Sequence, residues 1–144
     1  RLDGWAARPP GALALIVLLD QFTRNIHRGT PAAFAGDAQA LTLALQLVDS
    51  GEHLRLPPLQ RWFAYLPLEH AEDRALQQQC VRLFEALAAE VGPHREALAG
   101  ALDYARRHHD VIARFGRFPH RNAILGRAST AEEATFLLQP GSSF

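Results

Sequence analysis

Methionine and lysine are both absent from this chain of 144 residues, and cysteine occurs once. The lone Cys80 excludes an internal disulfide, which sets aside the stapled secreted scaffolds and favours a reducing, cytoplasmic setting. Translation starts with methionine, so its absence predicts that a segment of the native protein precedes Arg1. All fifteen basic residues are arginine, even at positions of surface character such as Arg95 and Arg106, which reads as compositional bias. Fifteen acidic residues cancel them, leaving no electrostatic case for nucleic acid or an anionic membrane as partner. The longest strongly apolar run, 12–19, falls far short of the roughly 20 residues that span a bilayer. No Gly-x-Ser-x-Gly, Walker or dinucleotide-binding loop is present, and no cofactor is expected.

What is present suits a single helical domain over 1–144, long enough to bury roughly 70% of its extended surface. Pro9-Pro10 precede a first helix over about 11–25, apolar almost all round. Thr30-Pro31 offers an N-cap and first-turn proline for a short helix through Phe34. Asp37 is read as the cap of a second long helix that Gly51 ends. Pro57-Pro58 opens a helix carrying Trp62, Phe63 and Tyr65. Pro67 is expected to break or restart it, with a long helix continuing to about Glu90. Another helix spans about 94–115, with Gly116 as its C-terminal glycine. Thr130 and Glu133 form a capping box for a last short helix. No stretch alternates as a strand would, so the fold class is all-α, with stacked antiparallel helix pairs.

Candidate functional residues are those that break the apolar pattern. Arg24-Asn25 and Arg121-Asn122 are each followed by a glycine and then a hydroxyl residue, Gly29-Thr30 and Gly126 with Ser129. Each pair offers a planar donor fork and an amide, so two such corners are able to frame one polar site. At 100° per residue, Glu69 and Asp73 fall in the stripe of Leu76, Cys80, Leu83 and Leu87, and two buried acids call for cations opposite them. Plainer readings exist for each. Glu69 and Glu72 suit the start of a helix, and Asp20 and Arg24 suit an i,i+4 ion pair. His108 and His109, at the apolar edge of their helix, suit hydrogen-bonded core positions, while Arg24, Arg117 and Arg121 suit helix capping. Glu69, His70 and Asp73 suggest metal ligands only superficially, because neighbours on a helix diverge by about 100°; no metal is expected. Cys80 reads as packing.

These residues also carry a resemblance. Leu19-Asp20-Gln21-Phe22-Thr23-Arg24-Asn25, Arg28-Gly29-Thr30-Pro31, the run from Tyr65 to Asp73, the run from Arg114 to Arg127, and Pro140-Gly141-Ser142-Ser143-Phe144 closely resemble the bacterial domain of unknown function 924 (DUF924) proteins. The resemblance spans essentially the whole chain. It implies an all-helical, tetratricopeptide-repeat-like fold and a further segment ahead of Arg1; it implies no activity. Thr23 and His27 depart from the family pattern, which usually has proline and an aromatic residue there. No 34-residue repeat signature is legible in the chain itself.

The favoured expectation is a helical binding protein whose polar cleft takes a small anionic or zwitterionic ligand or a peptide terminus. Its candidate ligand-binding residues are Asp20, Gln21, Arg24, Asn25, Glu69, His70, Asp73, His109, Arg117, His120, Arg121 and Asn122. One alternative is a hydrolase with Glu69 or His109 as general base and Arg121 stabilising developing negative charge. The other is a protein-interaction scaffold with Trp5, Trp62 and Phe144 on an exposed face.

Overall fold

Proline and glycine punctuate a chain that is otherwise helical. The computed structural model describes residues 2–144, and no strand occurs among them. Pro9 and Pro10 begin α1 (Pro9–Ile16), where a missing N–H and a fixed φ suit a first turn. The helix runs on through a π-helical stretch, Val17–Phe22, into α2 (Thr23–Ile26). A π turn carries an extra residue and re-phases the side chains after it, a departure from the regular helix expected here. It leaves Asp20 buried while Leu18 and Phe22 face outward.

A short 3-10 helix, Pro31–Phe34, leads to α3 (Asp37–Asp49). A Cβ at Gly36 would stand 2.2 Å from the carbonyl oxygen of Leu19. Only glycine allows that approach, which sets Asp37 beside the π-helical stretch. Asp37 itself makes no capping bond to α3. Gly51, at φ 75°, closes this segment as expected.

In α4 (Pro58–Glu69), Pro67 lies inside the helix instead of breaking it. The break comes three residues later, over 70–73, and α5 (Arg74–Ala88) starts there with Asp73 as N-cap, accepting from the backbone N–H of Leu76. Asp73 is therefore an exposed cap, not a member of the buried stripe. The last long helix, α6 (Arg95–Phe115), ends at Gly116 with φ 74°. α5 and α6 share the most extensive helix–helix interface, and α4 packs on α5. The main core runs through these layers, with Ile16, Ala44, Tyr65, Leu68, Phe84 and Leu87 almost wholly buried. Full burial of a residue such as Phe84 contributes about 2–3 kcal/mol. Cys80 lies in this core, with its Sγ near the carbonyl oxygen of Tyr65. No helix of the described residues is long and apolar enough to cross a membrane.

A smaller layer, built on Val111, Ile112 and Phe118, fastens the chain beyond α6. Here the Thr130–Glu133 capping box opens α7 (Ala131–Leu137) as expected. Glu133 also accepts from Arg117 Nε at 2.8 Å and from Asn122 Nδ2 at 3.1 Å. Arg127 grips Glu72 through two bonds of 2.7 and 2.8 Å. The hydrogen bond from Arg117 is the chief cause that lowers the Glu133 carboxyl to about 2. Its folded pKa lies below the unfolded one, so this stabilisation is complete above the ordinary carboxylate range and is lost as pH falls through about 2. Glu133→Gln is expected to cost about 2–3 kcal/mol at neutral pH and to expose the amides of 117–137 to hydrogen exchange. Unchanged exchange there would contradict this account of the layer.

Candidate functional site

Asp20, in the π-helical stretch, is only 1% exposed. Its Oδ1 accepts from His70 Nδ1 at 2.7 Å and from Arg24 Nη2 at 3.1 Å, and its Oδ2 from Gln21 Nε2 at 2.7 Å. Burial alone would raise its pKa. The hydrogen bond and charge of His70, then those of Arg24, outweigh that and hold the carboxyl at about 2. Arg24 Nη2 also donates to Asp37 Oδ1 at 2.9 Å. Asp37, expected to cap α3, thus belongs to the charge network instead.

The end of α4 is held from two sides, which fixes Glu69 and His70. Gln77 of α5 donates Nε2 to the carbonyl oxygens of Glu69 and Ala71 at 2.6 and 2.9 Å. Arg121 donates Nη2 to the carbonyl oxygen of His70 at 2.8 Å. Both supply partners that the last turn of a helix lacks. The Arg121 guanidinium lies over the rings of Phe34 and Phe118, 4.7 Å from each centroid. Burial, then the charge of Arg24, lowers its pKa to about 10, so it stays cationic at neutral pH.

Glu69 is treated differently. It is 4% exposed, and its Oε1 has no hydrogen-bond partner. Burial, then the charge of Asp20, pushes its carboxyl up to about 8. The nearest imidazole nitrogen, Nδ1 of His108, is 4.0 Å away. That nitrogen donates instead to the carbonyl oxygen of Tyr104 at 2.8 Å. Burial, despite this bond, lowers His108 to about 3. His120 is lowered to about 4 by burial and then by Arg121.

These groups line a cavity of about 200 Å³ whose walls include Arg24, Glu69, His70, His108, His120 and Arg121. Phe144 covers one side, its ring 3.9 Å from that of His108. Four residues of this lining each carry a buried side-chain atom without a partner: Glu69 Oε1, Arg24 Nε, Arg121 Nε and His120 Nδ1. The only other such atom among the described residues is Gln77 Oε1. A neighbouring hollow of about 250 Å³ shares His70 and Arg121 and adds Asp20, Asp37, Glu72 and Asp73.

Of the expected residues, Asp20, Gln21, Arg24, Glu69, His70, His120 and Arg121 come together. His109 does not: it lies with Arg74, Gln78 and Ala113 along a separate hollow, its nearest polar partner Asp110 at 3.3 Å. One step of helical phase puts His108 inside in its place, and removes His109 as a base for this cavity. Arg117 and Asn122 serve the terminal layer through Glu133. Asn25 is exposed and accepts from Arg28. The two Arg-Asn corners therefore share only their arginines. Trp62 stacks on Phe63, whereas Phe144 belongs to the cavity. Asp37, His108 and Phe144 were missed; for His108 the signal was the apolar arc of its own helix.

A family model of bacterial proteins of unknown function, DUF924, matches residues 1–141, and the chain belongs to that family. It is also similar to the solved structure of a protein of unknown function from Agrobacterium tumefaciens. The two are 42% identical with a TM-score of 0.82, over 94% of this chain and 72% of that one. No curated protein matches the chain.

Asp20→Asn removes the charge that His70 and Arg24 share and leaves Arg24 only Asp37. Urea unfolding is expected to show a loss of about 3–5 kcal/mol, the usual cost of breaking a buried pair. A loss below about 1 kcal/mol, typical of an exposed pair, would contradict the buried network.

Proposed function

We propose that this member of the family is a cytoplasmic binding protein, a helix stack of tetratricopeptide-repeat type, whose cavity takes a small anionic or zwitterionic ligand. The supporting observation is that four residues lining one cavity each carry a buried polar atom without a partner. Buried polar groups ordinarily have partners, and leaving one without costs about 1–3 kcal/mol. Two of the four are guanidinium N–H donors, on Arg24 and Arg121, and suit a carboxylate or phosphate. His120 stands beside Arg121 on the same lining. Glu69 on the lining suits a positive group on the ligand. At about 200 Å³, the cavity is smaller than the roughly 300–1,000 Å³ of pockets for drug-sized molecules. That size favours a ligand of few heavy atoms, or the terminus of a peptide, over a nucleotide.

The test is to titrate the chelator-treated protein with inorganic phosphate, acetate and glycine while following arginine Nε–H signals by NMR. Saturable shifts at Arg24 and Arg121 are expected, with none at Arg114 and Arg117, whose Nε atoms already donate to Glu132 and Glu133. His120→Ala is expected to weaken binding about tenfold, the equivalent of one modest hydrogen bond. Shifts confined to exposed arginines, or none, would contradict the proposal.

A further inference from the structure

Glu69 and His70 are neighbours in the chain, and His108 comes from α6, yet their side chains converge. One ligating atom of each lies within 4.8 Å of the other two. We propose that Glu69, His70 and His108 hold a divalent transition-metal ion of the zinc class, with its remaining position open toward the cavity.

The hydrogen bonds around the two histidines support this assignment. His70 donates Nδ1–H to the Asp20 carboxylate, and His108 donates Nδ1–H to the carbonyl oxygen of Tyr104. Each ring in its neutral form thereby keeps an unprotonated Nε2 able to ligate a metal; at His108 Nδ1 is the nitrogen nearer Glu69, at 4.0 Å, so that ring turns to bring Nε2 to the ion. A carboxylate or backbone carbonyl behind the imidazole is the usual outer partner of a metal-bound histidine.

The pairing of the acids supports it independently. Arg24 engages both Asp20 and Asp37, so Glu69 is the acid of this cluster left without a cation. Its side chain is 5% exposed and its Oε1 has no hydrogen-bond partner. Two imidazole nitrogens and one carboxylate oxygen suit zinc and its neighbours. Three protein ligands with one exchangeable position are the pattern of open zinc sites.

The distances call for a small closure. Ring centres of His70 and His108 are 6.1 Å apart, about 0.9 Å wider than the roughly 5.2 Å of two imidazoles that share one tetrahedral ion. Ligand atoms around a tetrahedral zinc stand about 3.3 Å apart, so the three side chains draw in by at most about 1.5 Å. The divergence of adjacent helical residues does not exclude this site, because the third ligand comes from another helix and the side-chain ends converge.

The open position rests on the anion-binding reading above, whereas the ion itself does not. The ion replaces the positive end of a zwitterion opposite Glu69, so the exchangeable ligand becomes a simple carboxylate or phosphate.

The experiment titrates the chelator-treated full chain with cobalt(II) alone, without added anion. One equivalent is expected to bind with the intense visible bands of four- or five-coordinate cobalt. Paramagnetically shifted ring signals are expected from His70 and His108, not from the exposed His27 and His94. Glu69→Gln and His108→Gln are each expected to weaken binding at least tenfold, while His109→Gln leaves it unchanged. The ring signals are read on the parent protein, so the test holds even where a variant fails to fold. Weak octahedral spectra, or shifts confined to exposed histidines, overturn the assignment. Cobalt failing while glycine still moves Arg24 and Arg121 overturns the metal alone. Cobalt binding as described with no response to any anion supports the ion and overturns only the anion-binding reading.

Discussion

A charge carried into a protein interior must meet opposite charge and hydrogen-bond donors, because desolvation otherwise costs several kcal/mol. Asp20 meets that requirement through three donors from two parts of the chain. Much of the surrounding structure follows from it. The π-helical stretch carries the carboxylate inward, and Arg24 one turn later links it to Asp37 at the start of α3. His70 ties it to the end of α4, where Gln77 and Arg121 hold the backbone. Gly36 permits the close approach that puts Asp37 within reach.

Around that satisfied centre the lining of the cavity is unsatisfied. Asp20 and Glu69 are both carboxylates with little exposure, but burial is overcome at the first and prevails at the second. The difference lies in partners, not depth. Arg24 and Arg121, three imidazoles and the rings of Phe118 and Phe144 line the cavity, and of the imidazoles His70 and His108 carry outer hydrogen bonds. A packed core has no need of such an arrangement, whereas a binding site for a small charged group does. The main apolar core draws on residues from Ala12 to Ala105.

The sequence disclosed local features better than long-range ones. Thr130 and Glu133 were legible as a capping box because the two bonds of the box join residues three apart. Gly51 and Gly116 were legible as helix ends because a left-handed residue after a helix favours glycine. Asp20 and Arg24 were legible as an i,i+4 pair. Pro67 misled, since a proline inside a helix removes one hydrogen bond without stopping a helix that is buried on most sides. The π turn left no pattern in hydrophobic spacing. His108 and His109 sit one step apart on the same arc, and only the packing of α6 against α4 decides which faces Glu69. Asp37 reads locally as a cap because its partner Arg24 lies thirteen residues away. The Arg-Asn correspondence located the cavity, but only its arginines reach it.

The most direct measurement is urea unfolding of Glu69→Gln against the parent, both chelator-treated and in full-length protein. An amide of the same shape replaces a buried carboxyl whose Oε1 has no partner and whose pKa burial pushes up to about 8. The account predicts stability equal to the parent or higher. A loss of several kcal/mol would mean that the carboxylate is already paired in a structural network, and would contradict a cavity held open for a ligand.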